Sequence, residues 1–307
     1  MKKAIFLFDG QGAFRPGIGK ELCDAYPKAR EIIAKSSNVL GYDLADHLWG
    51  EGSEETASKT SVAQPAISMV SLAYAEVLRD QGLVGSVSLG HSLGEATAII
   101  YCGILEFEDG IRMIQKRGEV MEAGGKQGTM MAILNVELDV LESMCSVATK
   151  EISEPVVIAN INTPSQIVIS GSKEATKRVA QLVAEAKGRS IPLNVGGAWH
   201  SPYLEKSAAE FAEFLDNMQF NTPKSNFYSV VEQNILDDPE AIRSSLKNQM
   251  LSQVDWVSAI NNLRDREYAP FLEIGPSKIL KDLVTKIDAN LQVDSTALHA
   301  NLKEIAA

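Results

Sequence analysis

The pentapeptide Gly90-His91-Ser92-Leu93-Gly94 reads G-x-S-x-G, and no other feature constrains the fold of this chain as strongly. It stands between a short apolar run at residues 86–89 and a helical pattern that begins at Leu93. This context is typical of a nucleophile elbow, where a tight strand-to-helix turn exposes a serine hydroxyl and glycines allow close backbone contact. The bare pattern occurs by chance in about one chain of this length in ten, so the interpretation depends on the flanking elements. The alternative is a strand end followed by a serine that only caps the helix.

The composition excludes several classes of function. With 45% hydrophobic and 22% charged residues over 307 positions, the chain suits one large globular domain, or one domain with an insertion. A net charge of −11 argues against a nucleic-acid partner, because a phosphate backbone requires a basic face. No apolar stretch suits a membrane span or a signal peptide, and Cys23, Cys102 and Cys145 are too widely spaced for a disulfide framework or a metal site. We therefore expect a cytoplasmic protein without membrane, nucleic-acid or metal partners.

Strand and helix patterns alternate through the first part of the chain and resume after Gly197. The strand patterns cover residues 3–8, 86–89, 226–231 and 269–273, and the helical patterns cover residues 19–36, 66–79, 93–103 and 108–123, with further helices after residues 201–202 and 275–276. Alternation of this kind predicts a parallel sheet with helices packed on its faces.

The segment between these two parts has a different pattern. Strands at residues 129–134, 156–161, 166–170 and 190–195 and helices at residues 137–147 and 173–187 follow the order βαββαβ, which is typical of a ferredoxin-like unit. We therefore predict an α/β catalytic core at residues 1–127 and 197–307, an inserted ferredoxin-like subdomain at residues 128–196, and a cleft between them. The alternative is that these strands extend the main sheet.

A serine hydroxyl needs a base to become a nucleophile, and histidine is the usual one. The chain has four histidines. His91 adjoins the serine, and adjacent side chains at a tight turn point away from each other; His47 lies in a polar stretch and His299 in the terminal tail. His200 follows a strand end and a glycine loop, where α/β sheets build active sites. We predict that His200 is the base of Ser92, with an ordinary loop histidine as the alternative.

No aspartate is placed to complete a triad. Asp109 begins a helix, Asp139 lies in the inserted unit, and Asp216 ends the helix after the histidine. A Ser-His dyad whose ring is oriented by a backbone carbonyl is therefore the simpler prediction. The Leu93 N–H, at a helix start, and a donor from the loop of Gln11 are expected to hold the oxyanion.

Arg117 falls on the apolar side of its predicted helix. Its neighbours at helical spacing are Met113, Ile114, Val120 and Met121, so the guanidinium should point inward and need an anionic partner. That partner would be a substrate carboxylate if the site is the catalytic cleft. A snorkelling arginine and an internal ion pair are the open alternatives. A lost buried partner costs about 3–5 kcal/mol, which corresponds to about two to four decades of preference for an acid-bearing acyl group over acetyl.

Several separate motifs, spread over essentially the whole chain, occur together. They are FDGQG at residues 8–12, QPA at 64–66, GHSLGE at 90–95, KRG at 116–118 followed by Met121, NINTPSQIVISG at 160–171, WHS at 199–201 and EIGP at 273–276. In this combination the chain resembles the malonyl-CoA:acyl-carrier-protein transacylases, including the freestanding acyltransferases of polyketide pathways. The set is far more specific than any one of its members.

The resemblance implies a fold and a set of site residues. The fold is an α/β-hydrolase-like core with a parallel sheet plus an inserted ferredoxin-like subdomain. A backbone carbonyl near residues 254–256 would support the histidine. The implied residues are Ser92 and His200 as the catalytic pair, and Gln11, Leu93, Arg117, Gln64 and Asn162 around the oxyanion and substrate.

The resemblance also implies a reaction and its partners. The serine would accept a malonyl group from malonyl-CoA and pass it to the phosphopantetheine thiol of an acyl carrier protein, in fatty acid or polyketide biosynthesis and without a cofactor. Separately from the resemblance, we expect a monomer. Both partners are anionic, so exposed bases are expected at the cleft rim, with Lys126, Lys187, Arg189 and Lys206 as candidates. The alternatives are an acyl hydrolase acting on carrier-protein thioesters and a catalytically idle subunit that binds the carrier protein.

Four departures from the family pattern concern the substrate site. Asp9 stands where proline is usual, Ala13 and Phe14 replace the common Ser-Gln, and Ala96 replaces a larger aromatic residue. Trp199 stands where phenylalanine is common and keeps a bulky wall, which favours malonyl over methylmalonyl. These changes affect the expected choice of acyl group more than the type of reaction.

Overall fold

The computed structural model describes residues 2–56, 59–266 and 270–306 and has two β-sheets with helices packed around them. The strands are β1 (Lys2–Phe8), β2 (Leu83–Gly90), β3 (Thr129–Leu134), β4 (Val156–Thr163), β5 (Gln166–Gly171), β6 (Arg189–Pro192), β7 (Asn226–Ser229), β8 (Asn234–Leu236), β9 (Val254–Asp255), β10 (Phe271–Ile274) and β11 (Val293–Ser295). The larger sheet has the order β11-β10-β1-β2-β7-β8, and only the β7–β8 pair is antiparallel. The predicted α/β core with a parallel sheet is confirmed.

The central strand β1 shows why the sequence forms a parallel sheet. Its side chains alternate between two buried clusters, with Phe6 and Phe8 in one and Ile5 and Leu7 in the other. A strand covered by helices on both faces has a continuous apolar sequence rather than an alternating one. The strand predicted at residues 269–273 corresponds to β10, although Ala269, where the prediction begins, lies outside the described residues.

The helices occupy most of the predicted positions, with two corrections. They are α1 (Lys20–Ala25), α2 (Pro27–Leu40), α3 (Leu44–Trp49), α4 (Ser53–Thr56), α5 (Thr60–Asp80), α6 (Leu93–Tyr101), α7 (Phe107–Gly124), α8 (Leu138–Ile152), α9 (Lys173–Glu185), α10 (Glu205–Asp216), α11 (Pro239–Asn248), α12 (Trp256–Asp265), α13 (Ile279–Ile287) and α14 (Lys303–Ala306).

The single helix predicted at residues 19–36 was wrong, because Tyr26 is extended and Pro27 starts a second helix. The helix predicted from residue 66 begins earlier, at Thr60, because Pro65 lies within its second turn instead of preceding it.

The smaller sheet has the order β6-β3-β5-β4-β9. Its first four strands and the two helices α8 and α9 form the predicted ferredoxin-like βαββαβ unit, with antiparallel β3–β5, β3–β6 and β4–β5 pairs. Strand β9, which was not predicted, comes from the C-terminal part of the chain and pairs in parallel with β4. This pairing ties the subdomain to the core, and the boundaries at residues 128 and 196 stay a prediction.

The cysteines are small buried residues. Cys23 and Cys102 lie in the cluster around the larger sheet, Cys145 lies in the subdomain, and all three are free. Burial raises the pKa of the Cys102 thiol to about 11, so it stays protonated and unreactive. No helix in the described part of the chain is long and apolar enough to cross a membrane.

Candidate active site

Ser92 occupies a strained position between β2 and α6. Its φ of 52° and ψ of −101° are unusual for a residue with a side chain. The strain is held by close packing on both sides. A Cβ on Gly90 would lie 2.0 Å from the carbonyl carbon of Gly94, and a Cβ on Gly94 would lie 2.0 Å from the carbonyl oxygen of Phe8. Only glycine fits at these positions, so the turn has the geometry of a nucleophile elbow.

His200 contacts Ser92 directly. The Ser92 Oγ and His200 Nε2 atoms are 2.7 Å apart. On the other side of the ring, Nδ1 lies 3.1 Å from the carbonyl oxygen of Gln249 and 3.0 Å from that of Ser252. Because both carbonyls only accept, Nδ1 must carry the proton, and Nε2 is free to accept one from the serine. The carbonyl expected near residues 254–256 was misplaced, because the turn after α11 presents residues 249 and 252 instead.

The surroundings of His200 keep the ring neutral. Burial, and then the positive charge of Arg117, lower the pKa of His200 to about 3. A neutral imidazole at physiological pH is the form that can take a proton from a serine. His200 also has a φ of 54°, so both members of the pair are held in uncommon backbone conformations.

Arg117 is fully buried and points at the same serine. Its side chain is 0% exposed, and Nη2 lies 3.2 Å from Ser92 Oγ. Its other donors meet neutral amide oxygens: Nη1 donates to Gln64 Oε1 at 2.8 Å, and Nε and Nη2 donate to Gln249 Oε1 at 3.2 and 2.9 Å. Among the described residues, no carboxylate lies within 4.0 Å of this guanidinium. The snorkelling alternative is therefore wrong for this geometry, and the described residues provide no direct ion pair.

The nearest compensation for this cation comes indirectly, through Glu95. This carboxylate is buried and accepts from Gln249 Nε2 at 2.8 Å and from Ser229 Oγ at 2.9 Å. Burial lowers the pKa of Arg117 to about 10, and the charge of Glu95 opposes that change. Arg117 thus stays charged at neutral pH, although the side chains that accept its hydrogen bonds are neutral.

Gln249 contacts Ser92, Arg117 and His200, and no pattern in the sequence indicated it. Its side-chain amide donates to the carbonyl oxygen of Ser92 at 3.0 Å and accepts from Arg117, and its backbone carbonyl accepts from His200. The residue follows the end of α11 in a stretch without a recognisable motif. Only the fold brings it to Ser92 and Arg117, which are 157 and 132 positions away, and to His200, which is 49 positions away.

Gln11 and Gln64 form a chain of amides that ends on Arg117. Gln64 Nε2 donates to Gln11 Oε1 at 3.2 Å, and Gln11 Nε2 donates to Thr60 Oγ1 at 3.1 Å. The Oε1 atom and one of the two Nε2 hydrogens of Gln11 are therefore already bonded, and the oxyanion donor expected from this loop is a main-chain N–H. The Leu93 N–H, at the start of α6, has no acceptor among the residues that the structure describes.

Asn162 is placed at the edge of the site and contacts the subdomain side of the elbow. Its Oδ1 atom lies 2.8 Å from His91 Nε2, and the His91 ring packs edge-on against Trp256 with centroids 5.6 Å apart. Burial lowers the pKa of His91, so this ring is neutral and its Nε2 carries the proton that Asn162 accepts. His91 thus connects the elbow to β4 and does not compete with His200 for the serine.

Several of the site residues line a cavity of about 720 Å³. It lies between the carboxyl ends of the core strands and the smaller sheet, which is where ligands bind in open α/β sheets. Its lining includes Gln11, Ser92, Arg117, Asn162, Trp199 and His200. The Trp199 indole packs so closely on Gly125 that a Cβ at residue 125 would lie 1.8 Å from the ring. The indole therefore cannot move toward Gly125 to enlarge the cavity. A second cavity, of about 640 Å³, is lined by none of these residues in the described part of the chain.

The predicted basic rim is exposed but does not line the cavity. Lys126, Lys187, Arg189 and Lys206 are all exposed, and none belongs to its described lining. They remain candidates for contacts with a large anionic partner at the surface. The described residues contain no group of three or more histidine, cysteine or acidic side chains that could hold a metal ion.

Comparison with known proteins gives consistent matches along the whole chain. The sequence model of the acyl transferase domain family matches residues 5–301. A malonyl CoA-acyl carrier protein transacylase of Bacillus subtilis is 34% identical over 295 residues, which cover 95% of this chain and 92% of that protein. The structure of an acyl carrier protein S-malonyltransferase from Vibrio cholerae matches with a TM-score of 0.94 at 30% identity, covering 99% of this chain and 100% of that one. A chain from the complex of a type II PKS acyl-carrier protein with its malonyl-transacylase matches with a TM-score of 0.93 at 30% identity and 98% coverage of both chains.

Proposed function

The chain belongs to the acyl transferase domain family, and from this premise we propose that it moves a malonyl group from CoA to the phosphopantetheine thiol of an acyl carrier protein. The observation that carries the proposal is the buried Arg117 guanidinium, 3.2 Å from Ser92 Oγ and without a carboxylate partner among the described residues. A cation in that position is completed by a carboxylate on the acyl group that Ser92 receives. The curated relative from Bacillus subtilis and the Vibrio cholerae protein carry names for this activity.

In the first half-reaction Ser92 Oγ attacks the thioester carbonyl while His200 Nε2 takes its proton. The carbonyl oxygen becomes an oxyanion, which the Leu93 N–H and a main-chain N–H of the Gln11 loop stabilise. The C–S bond then breaks, His200 returns the proton to the sulfur, and free CoA leaves. The second half-reaction repeats these steps in reverse with the carrier-protein thiol, so the mechanism is ping-pong through a Ser92 acyl-enzyme.

Binding of the malonyl carboxylate also tunes the base. Arg117 lowers the pKa of His200 through its positive charge, and a carboxylate on the guanidinium compensates that charge. The proton affinity of His200 therefore rises when the correct acyl group is bound. An acetyl group leaves Arg117 uncompensated and His200 a weaker base, so both effects favour malonyl.

The acyl group and its acceptor distinguish this proposal from its alternatives. A general acyl hydrolase has no use for a buried cation that faces the acyl end of the substrate, and an idle binding subunit has no use for a Ser-His contact of 2.7 Å. We propose a cytoplasmic monomer that serves fatty acid or polyketide biosynthesis, with Lys126, Lys187, Arg189 and Lys206 as candidate contacts for the anionic carrier protein.

The decisive experiment follows the covalent intermediate. We expect denaturing mass spectrometry after mixing with malonyl-CoA to show one malonyl adduct on the wild type and none on Ser92→Ala. Addition of a carrier protein bearing phosphopantetheine should then remove the adduct faster than water does. An unchanged adduct on Ser92→Ala would contradict the nucleophile assignment, and equal turnover of acetyl and malonyl thioesters with water as acceptor would favour a hydrolase.

A further inference from the structure

A second cluster of buried charged side chains lies next to the Gln11 loop, and the proposed mechanism does not use it. Asp9 directly follows the first core strand, β1, and is 1% exposed, and Glu273, on the neighbouring strand β10, is 0% exposed. Ser277 lies between them, with its Oγ 2.9 Å from Asp9 Oδ1 and 2.7 Å from Glu273 Oε1. Two carboxyl groups have thus been taken out of water around a single hydroxyl.

The hydrogen atoms at this hydroxyl can be counted. Ser277 Oγ accepts from the Ile279 N–H at 3.3 Å and has one hydrogen of its own to donate. It can therefore satisfy only one of its two carboxyl contacts as a donor. The other contact, at less than 3 Å, is favourable only if that carboxyl carries a proton and donates it.

The remaining contacts indicate which carboxyl holds the proton. Glu273 Oε2 accepts from the Lys281 N–H at 2.7 Å, which suits an ionised group. Asp9 Oδ2 has no hydrogen-bond partner among the described residues, and a Cβ on Gly275 would lie 2.1 Å from it. Burial, and then Glu273, raise the pKa of Asp9 well above its ordinary value, in agreement with the geometry.

The other titratable groups near Asp9 do not take over this role. Tyr74, on α5, faces the same interior, and burial raises its pKa to about 12. Arg15 is held by a backbone carbonyl at 3.0 Å, and a guanidinium keeps its charge throughout the accessible pH range. His91 lies beyond Gly10, where its ring is bonded to the subdomain. Among the described residues, Glu273 is thus the acidic group that shares a hydrogen-bonded hydroxyl with Asp9.

The main chain at Asp9 lies directly against the nucleophile elbow. The His91 N–H donates to the Phe8 carbonyl oxygen at 3.2 Å, and a Cβ on Gly94 would lie 2.9 Å from the carbonyl oxygen of Asp9. Gln11 follows two residues later and is expected to supply an oxyanion donor. The main chain that carries the Asp9 side chain is thus in contact with the elbow and continues directly into the Gln11 loop.

From this arrangement we propose that Asp9 and Glu273 share one proton through Ser277, and that the resulting neutral Asp9 is a positioning residue for the acylation of Ser92. Loss of the proton places two carboxylates around one buried hydroxyl, and their repulsion drives Asp9 toward water. The Gln11 loop then moves away from the elbow. The positioning role rests on the proposed acyl transfer, whereas the shared proton does not.

The test compares two variants. Asp9→Asn keeps the side-chain shape and a hydrogen-bond donor but cannot ionise, whereas Asp9→Leu has no polar side-chain atom. Asp24→Asn, on an exposed acid of α1, is the matched control. We expect the infrared band of a protonated carboxylic acid at neutral pH in the wild type and in the control, and its loss in Asp9→Asn. In single-turnover acylation by malonyl-CoA, the wild-type rate should fall with rising pH in a one-proton step that Asp9→Asn lacks. Asp9→Leu should be slower by about tenfold at every pH, with faster amide hydrogen exchange at residues 10–14.

Two results would overturn the inference. One is an infrared band that persists in Asp9→Asn, since the proton would then lie elsewhere. The other is a pair of acylation profiles, wild type and Asp9→Asn, that superimpose over the whole pH range together with unchanged exchange in Asp9→Leu. If no acyl adduct forms on the wild type, the proposed function fails, and the infrared and exchange measurements still decide whether the neutral pair exists and holds the loop.

Discussion

Two buried charged clusters adjoin the Gln11 loop, and they differ in how their charge is satisfied. Arg117 reaches Gln11 through Gln64, faces the cavity and contacts neutral amides, so its charge is left for a ligand to complete. Asp9 has Glu273 within the protein and loses its charge by holding a proton. An arginine cannot neutralise itself in this way, which makes a buried arginine beside a cavity a stronger indication of an anionic ligand than a buried acid.

The two clusters also respond to pH in opposite directions. The pKa of His200, beside Arg117, is lowered from 6.5 to about 3, so the folded protein binds fewer protons than the unfolded chain between these values. Stability from this site is present above pH 6.5 and is lost as the pH falls. The pKa of Asp9 is raised above 3.8, so its contribution is complete below that pH and is lost as the pH rises through the raised value.

The largest effect should come from removing the positive charge of Arg117. We expect Arg117→Ala to lower the preference for malonyl over acetyl by about two to four decades, because a buried carboxylate without its partner costs about 3–5 kcal/mol. The measurement is acylation of Ser92 from mixed malonyl-CoA and acetyl-CoA, followed by mass. Arg112→Ala, on the exposed side of the same helix α7, is the control and should keep the wild-type ratio. An unaltered ratio in Arg117→Ala would show that the arginine is structural.

A smaller effect should follow from giving Arg117 a carboxylate partner within the protein. Gln64→Glu places a carboxylate where an amide oxygen now accepts from Arg117 Nη1 at 2.8 Å. That ion pair competes with the malonyl carboxylate, and a charged hydrogen bond of about 1.5–3 kcal/mol corresponds to about a tenfold to hundredfold loss in malonyl acylation. Acetyl acylation should change much less.

Gln64→Met is the matched control for this substitution. It removes the same amide without adding a charge, so it should slow both acyl groups and leave their ratio close to that of the wild type. If Gln64→Met and Gln64→Glu shift the ratio equally, the amide chain to Gln11 matters and the charge on Arg117 does not.

The sequence predicted those parts of the site that have a local pattern. Ser92 lies in a motif with a strand before it and a helix after it, His200 follows from elimination among four histidines, and the inward direction of Arg117 follows from helical spacing. The signals for Ser92 and Arg117 span only a few turns of chain, and the elimination that selects His200 uses the local context of each histidine. The α/β core and the ferredoxin-like subdomain were accessible for the same reason, since each of their elements has its own period.

The partners of these residues could not be predicted, because they depend on packing between distant segments. Gln249 and Glu95 are 154 positions apart in sequence, and nothing near either residue marks the contact. The carbonyls on His200 were expected a few residues too late, since their position depends on where α11 ends. Asp9 was recognised as a departure from the family pattern, but its partner Glu273 adjoins it only because β1 and β10 pair in register.

The smallest and most local effect concerns the base itself. Burial is the main cause of the lowered pKa of His200, and the charge of Arg117 is the next, so Arg117→Gln should raise that pKa only part of the way toward 6.5. The acid side of the acylation profile and the imidazole NMR titration of His200 should both move to higher pH. Malonyl bound to a non-reactive Ser92→Ala protein should move the same titration upward, because a carboxylate on Arg117 compensates the same charge. If neither change moves the titration of His200, burial alone determines its pKa. Arg117 would then select the acyl group without affecting the proton transfer.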